Sequence, residues 1–168
     1  MAQAGSPDRG EADPVLRALL ADAGSGDEQY LRAVAALCGA RLLMPIVAVG
    51  ADGTESGGAE QMRALLLSTA SGRSATAVFT GLDTFSAWRP DARPLPCRLD
   101  EVAATAVEAG AAAILVDFQG PSGMVIEASL FTELAAGRRL VALDDGGWGW
   151  LYASSGTGGD SSADTSTG

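Results

Sequence analysis

The chain contains no histidine, no lysine and no asparagine, and all eleven of its basic residues are arginine. Without histidine, the commonest general base at neutral pH is missing, so His-dependent triads and His-ligated zinc sites are excluded. Without lysine there is no Walker A loop, no Schiff base and no Ser-Lys nucleophile pair. Arginine, alanine and glycine standing where lysine and asparagine are usual is the mark of GC-rich coding. The chemical consequence holds whatever its cause. Large aromatics are also few, at 5% of residues. No apolar run approaches the roughly 18 residues that span a bilayer. The first residues, polar and acidic, have no signal-peptide layout, so the cytoplasm is the expected compartment. Cysteine is nearly absent: Cys38 and Cys97 lie far apart and are expected as separate, partly buried thiols. Positive charge is short too, leaving a formal net charge of −10 and a pI near 4.3. Such a chain repels phosphate, which argues against nucleic-acid and anionic-membrane partners.

What is present is a globular composition, with 47% hydrophobic and 19% charged residues in 168. That length is about one domain. Composition divides it into three regions. Residues 1–24 are expected as a mostly disordered acidic segment with a short, loosely docked helix started by Asp13-Pro14. Residues 25–152 form the domain. Residues 153–168, a Gly/Ser/Thr tract, are expected to be a disordered tail. Trimming residues 1–20 is therefore expected to leave stability almost unchanged.

Within the domain the hydrophobic period switches repeatedly. Ser25 and Glu28 read as a capping box for a helix ending at Gly39. The run 41–49 is apolar without alternation, as in a strand covered on both faces, with Pro45 requiring an edge or a bulge. Residues 64–68 and 75–79 flank Ser71-Gly72-Arg73 as a hairpin. Asp100 is expected to cap a helix reaching Gly110, and Ser129 one reaching Gly137. Strands at 113–118, 124–126 and 140–143 complete a mixed sheet with helices packed on it, a single α+β domain.

The segment 78–90, VFTGLDTFSAWRP, is the most specific feature. A strand stops at Thr80-Gly81, and Leu82, Phe85 and Trp88 follow at helical spacing, with Pro90 ending the turn. Thr80 and Asp83 read as a capping box. Trp88 is expected to pack inward with Leu82 and Phe85. This corner, with the hairpin and helix over 114–131, resembles the N-terminal domain of the SseB family, in the form common in actinobacteria. The resemblance covers roughly 41–143 and implies a fold without assigned catalytic residues. The chain carries Asp117-Phe118 where many relatives have Asn-Pro.

Each motif for chemistry lacks a part. Asp52 opens a calcium-like loop whose twelfth position is Arg63 instead of glutamate. Cys97-Arg98 lacks the glycine-bearing loop of a thiolate cradle. Gly24-Ser25-Gly26 follows no strand, so it is no dinucleotide fingerprint. Asp144-Asp145 is a candidate metal pair, but adjacent carboxylates before Gly146-Gly147 are more simply a solvated turn. No metal and no cofactor is expected. Trp148, Trp150 and Tyr152 share one face of a strand, either covering the core or forming an exposed partner-binding strip.

Two functions follow. One is a non-catalytic module that binds another protein through the Trp88 corner and the Trp148–Trp150 arm. The other is a small-ligand sensor or enzyme whose pocket is built from Thr80, Asp83 and Arg89 with Trp88 as a wall. The balance is against an enzyme, since no nucleophile–base pair is visible.

Overall fold

The computed structural model describes residues 8–49 and 61–152. Helix α1 (Pro14–Asp22) starts as Asp13-Pro14 dictates, the Asp13 carboxylate accepting from Val15 N. A 3₁₀ turn, Ala23–Ser25, joins it directly to α2 (Asp27–Gly39). That turn removes Ser25 from the cap position: its hydroxyl donates to Asp22, Glu28 pairs with Arg32, and Gly26 is the cap. The helix set apart from the domain on sequence is part of it, because Leu16, Leu20 and Ala23 are buried in the core.

Strand β1 (Leu42–Val49) lies between β2 (Gln61–Ala64) and β5 (Arg93–Cys97), both antiparallel to it. Pro45 is therefore not on an edge. Its missing N–H falls where the neighbouring strand breaks at Leu65, between β2 and β3 (Leu66–Ser68), and its carbonyl accepts from Leu65 N. The loop carrying Asp52 lies outside the described residues. Strand β3 pairs with β4 (Ser74–Val78) through the connection 69–73, in which Gly72 takes φ +79°, a region favouring glycine. Reciprocal hydrogen bonds of 2.8 and 2.9 Å between Leu43 and Phe79 join β1 to the end of β4. The second sheet continues with β6 (Ala113–Val116), parallel to β4, and β7 (Met124–Glu127), antiparallel to β6.

Helix α3 (Leu82–Trp88) follows β4, and α4 (Leu99–Glu108) follows β5. The expected cap of α4 moves from Asp100 to Arg98, whose N–H donates to Glu101 at 2.7 Å. Helix α5 (Ala128–Ala135) starts directly from β7, which places Ser129 inside the first turn instead of at the cap. The described residues end in a separate ribbon of β8 (Arg138–Ala142) and β9 (Trp148–Tyr152). The result is a single α+β domain with a mixed sheet and helices packed on it.

The unalternating apolar run of β1 has the expected cause. Leu42 and Met44 face the main core with α1, α2, α4 and α5, while Leu43 faces a smaller cluster of Phe79, Phe85 and Ala92. Both cysteines are free and buried. Among the described residues no helix is long and apolar enough to cross a membrane.

Candidate functional site

Because β4 and β6 run parallel, their carboxyl ends meet at one place, the position where open α/β sheets gather polar groups. Asp117 directly follows β6 there, 1% exposed and at φ +45°, a left-handed conformation that is uncommon outside glycine. Its Oδ1 accepts from Thr80 N at 3.0 Å and Thr84 Oγ1 at 2.7 Å, and its Oδ2 from Thr80 Oγ1 at 2.5 Å. Arg17 approaches from α1: Nε donates to Thr80 Oγ1 at 2.9 Å and lies 3.5 Å from Asp117 Oδ2. The rest of its guanidinium forms a bidentate pair with Asp83, at 2.7 and 2.9 Å. Asp83 is held below the ordinary carboxylate value chiefly by this Arg17 hydrogen bond, and Arg17 is raised by the same contact.

The capping box expected at Thr80 and Asp83 is not formed. Gly81 is the cap of α3, without a side-chain bond, because Thr80 is drawn to Asp117 and Asp83 to Arg17. Trp88 does pack inward, stacked on Phe79 at 5.4 Å and edge-on to Phe118 at 5.6 Å, and Phe85 meets Phe79 edge-on at 5.3 Å. Leu82 does not join them. Six helical residues rotate Leu82 about 120° from Trp88, and it packs instead against the chain at Gly10. A Cβ on Gly10 would lie 2.4 Å from Leu82 Cδ1, at a backbone φ of +78°. Gly10 O also accepts from Leu82 N, and Arg41 holds Asp8 at 2.8 Å, so residues 8–13 strap across the corner.

A cavity of ≈ 480 Å³ lies under this strap, lined by Pro14, Arg17, Leu82 and Asp83 among others. Arg89 is not there: it sits at the far end of α3, beside Asp91 at 3.3 Å. Thus Thr80 and Asp83 come together with Arg17, Thr84 and Asp117, Trp88 backs them from the other side, and Arg89 stands apart. Sequence reasoning missed Arg17, Thr84 and Asp117 as site residues, because their partners are remote in the chain. Asp117 itself, an acidic residue closing the apolar run 113–116, was the one available signal.

Trp148 and Trp150 lie elsewhere, half-buried against the main core, while Tyr152 is 68% exposed beneath the Arg138 guanidinium. Cys97 faces inward, its thiol donating to the Leu42 carbonyl at 3.7 Å, and burial pushes it up to about 12. Asp144 and Asp145 are exposed in a turn, and no group of metal-ligating side chains occurs among the described residues.

The SseB protein N-terminal domain matches residues 16–132, and the chain belongs to that family. The match begins within α1, in keeping with the burial of Leu16. No curated protein and no solved structure matches the chain.

Proposed function

We propose that this SseB-family domain is a non-catalytic module that binds another protein. The observation that carries this reading is the closure of the polar corner. The Asp117 carboxylate and the Thr80 and Thr84 hydroxyls are at most 6% exposed and engaged with one another and with Arg17, so a substrate has no free group to meet. A hydroxyl beside a carboxylate acts as a nucleophile only where a reacting atom can reach it. The groups left to solvent are of another kind. On the outer face of the terminal ribbon, register places Val141, Leu143 and Leu151 together, with Leu143 45% and Leu151 56% exposed. Such a patch suits a protein partner, and the net charge of −10 favours one over nucleic acid or a membrane surface. On the two free, buried thiols we take the compartment to be cytoplasmic, and on the 78–90 corner we place the chain with the actinobacterial form of the family.

Affinity capture from the native cell tests this, comparing the protein with its Leu143→Asp/Leu151→Asp variant. A partner retained by the first and lost by the folded second supports the reading. The cavity beside Arg17 and Asp83 favours a second reading, a small-ligand sensor. Turnover of a small molecule by purified protein, abolished in Asp83→Ala, would displace the module.

A further inference from the structure

The outer strands of this molecule are not equally protected against pairing with another strand. In β5, the bonds of Leu43 to Phe79 fix the phase: Leu42 and Met44 turn their backbone groups to Cys97 and Leu95. Pro94 and Pro96 then face outward, and neither has an N–H to offer a newcomer. In β7, the outward carbonyl of Val125 is taken by the Tyr30 hydroxyl at 2.9 Å. Strand β3 is only three residues long and bends away at Leu65. Strand β8 packs against α2, with Cys38 and Leu140 in the same core. Short strands, prolines and covering side chains are the usual protections of an edge.

Strand β9 has none of these among the described residues. Its five residues, Trp-Gly-Trp-Leu-Tyr, include no proline and no charge. The Leu143 N–H donates to the Gly147 carbonyl at 2.8 Å, so Gly147, Gly149 and Leu151 face β8 with their backbone groups. Trp148, Trp150 and Tyr152 therefore direct theirs to the open edge.

We propose that β9 pairs with β9 of a second copy of this chain, antiparallel about a twofold axis at Trp150, making a four-stranded sheet. Trp150 faces its own counterpart, and Trp148 faces Tyr152 of the second copy, so all three outward residues find partners. This rests on the reading of the ribbon as an interaction surface and names its partner. The charges of the ribbon are locally complementary to those of a second copy. The ribbon carries the exposed Arg139 where β8 begins, beside Arg138, which Glu133 already pairs, and it is acidic at its turn, Asp144-Asp145. Antiparallel pairing sets the acidic turn of each molecule toward the basic end of the other. A twofold interface is also closed, so assembly stops at two. Two five-residue strands bury little area, below the roughly 1,200 Å² of stable complexes, so the pairing is weak and reversible.

Sedimentation equilibrium of the full chain at physiological salt, where the repulsion between two acidic chains is screened, tests the proposal. A monomer–dimer equilibrium without higher species is expected. Arg139→Asp and Asp144→Arg alone should each weaken it about tenfold, and the double variant should recover most of the loss, as complementary charges do. Circular dichroism checks that each variant is folded. A monomer at every concentration, growth beyond a dimer, or variants that dimerise like the parent would overturn the proposal. If the monomer still captures another protein through Leu143 and Leu151, self-pairing alone fails and the interaction reading stands.

Discussion

Asp117 is the residue on which the corner depends. It is buried, left-handed and surrounded by donors, so its charge is tolerated only while Thr80, Thr84 and Arg17 answer it. Removing one member of such a buried group leaves the others uncompensated, at a cost of about 3–5 kcal/mol. We expect Asp117→Ala to lose that much in denaturant unfolding, and Asp117→Asn to lose less, because asparagine accepts the left-handed backbone and one of the hydrogen bonds. Equal losses in the two would show that the carboxylate charge, not the geometry, is what matters. Cys97 gives a second residue-scale expectation. With its thiol pushed up to about 12 by burial, it should resist iodoacetamide at pH 8 in the folded protein. Mass spectrometry after brief treatment should show label only when denaturant is present.

The N-terminal helix is the element whose role changed most between sequence and structure. Its amphipathic run is short, which suggests loose docking, yet Leu16 and Leu20 are 4% and 2% exposed and Arg17 reaches the corner. Burying a leucine contributes about 1.5–3 kcal/mol. Removal of residues 1–20 should therefore destabilise the domain by several times the scatter of a surface change, the reverse of the expectation from sequence. An unchanged thermal midpoint would mean that α1 contributes nothing to stability. The terminal ribbon is the second such element. Trp148 and Trp150 pack on the main core, so ending the chain before Gly147 should lower stability as well as remove the proposed interaction face. These two effects separate in Leu143→Asp/Leu151→Asp, which leaves both tryptophans in place.

For the molecule as a whole, the excess of carboxylates makes pH informative. Asp83 is held below its ordinary value of 3.8 by Arg17, so its ion pair contributes stability above that value and loses it as pH falls through the lower, folded value. The Asp83 side chain is 64% exposed, and solvent and salt screen the pair. We expect Asp83→Asn to melt slightly below the parent at pH 7 and low salt. The gap should close below pH 3.8 and shrink in concentrated salt. A gap independent of pH would assign the effect to packing.

From its sequence alone this protein is an α+β domain without histidine or lysine chemistry, because composition and period act locally. The strand 41–49, the hairpin at Gly72 and the stop at Pro90 each follow from residues within a few positions of one another. The Trp88 corner was legible for the same reason, down to its inward tryptophan. Tertiary structure decided what those residues do. Thr80 and Asp83 have the spacing of a capping box, but a buried carboxylate 37 residues away and an arginine 66 residues away offer stronger, charged hydrogen bonds, and local capping loses. Leu82 is three residues from Phe85 yet leaves the core, because it lies about 120° around α3 from Trp88, on the side where the strap at Gly10 runs. The open edge of β9 is likewise invisible in the chain, since an edge is defined by the strand that is not beside it.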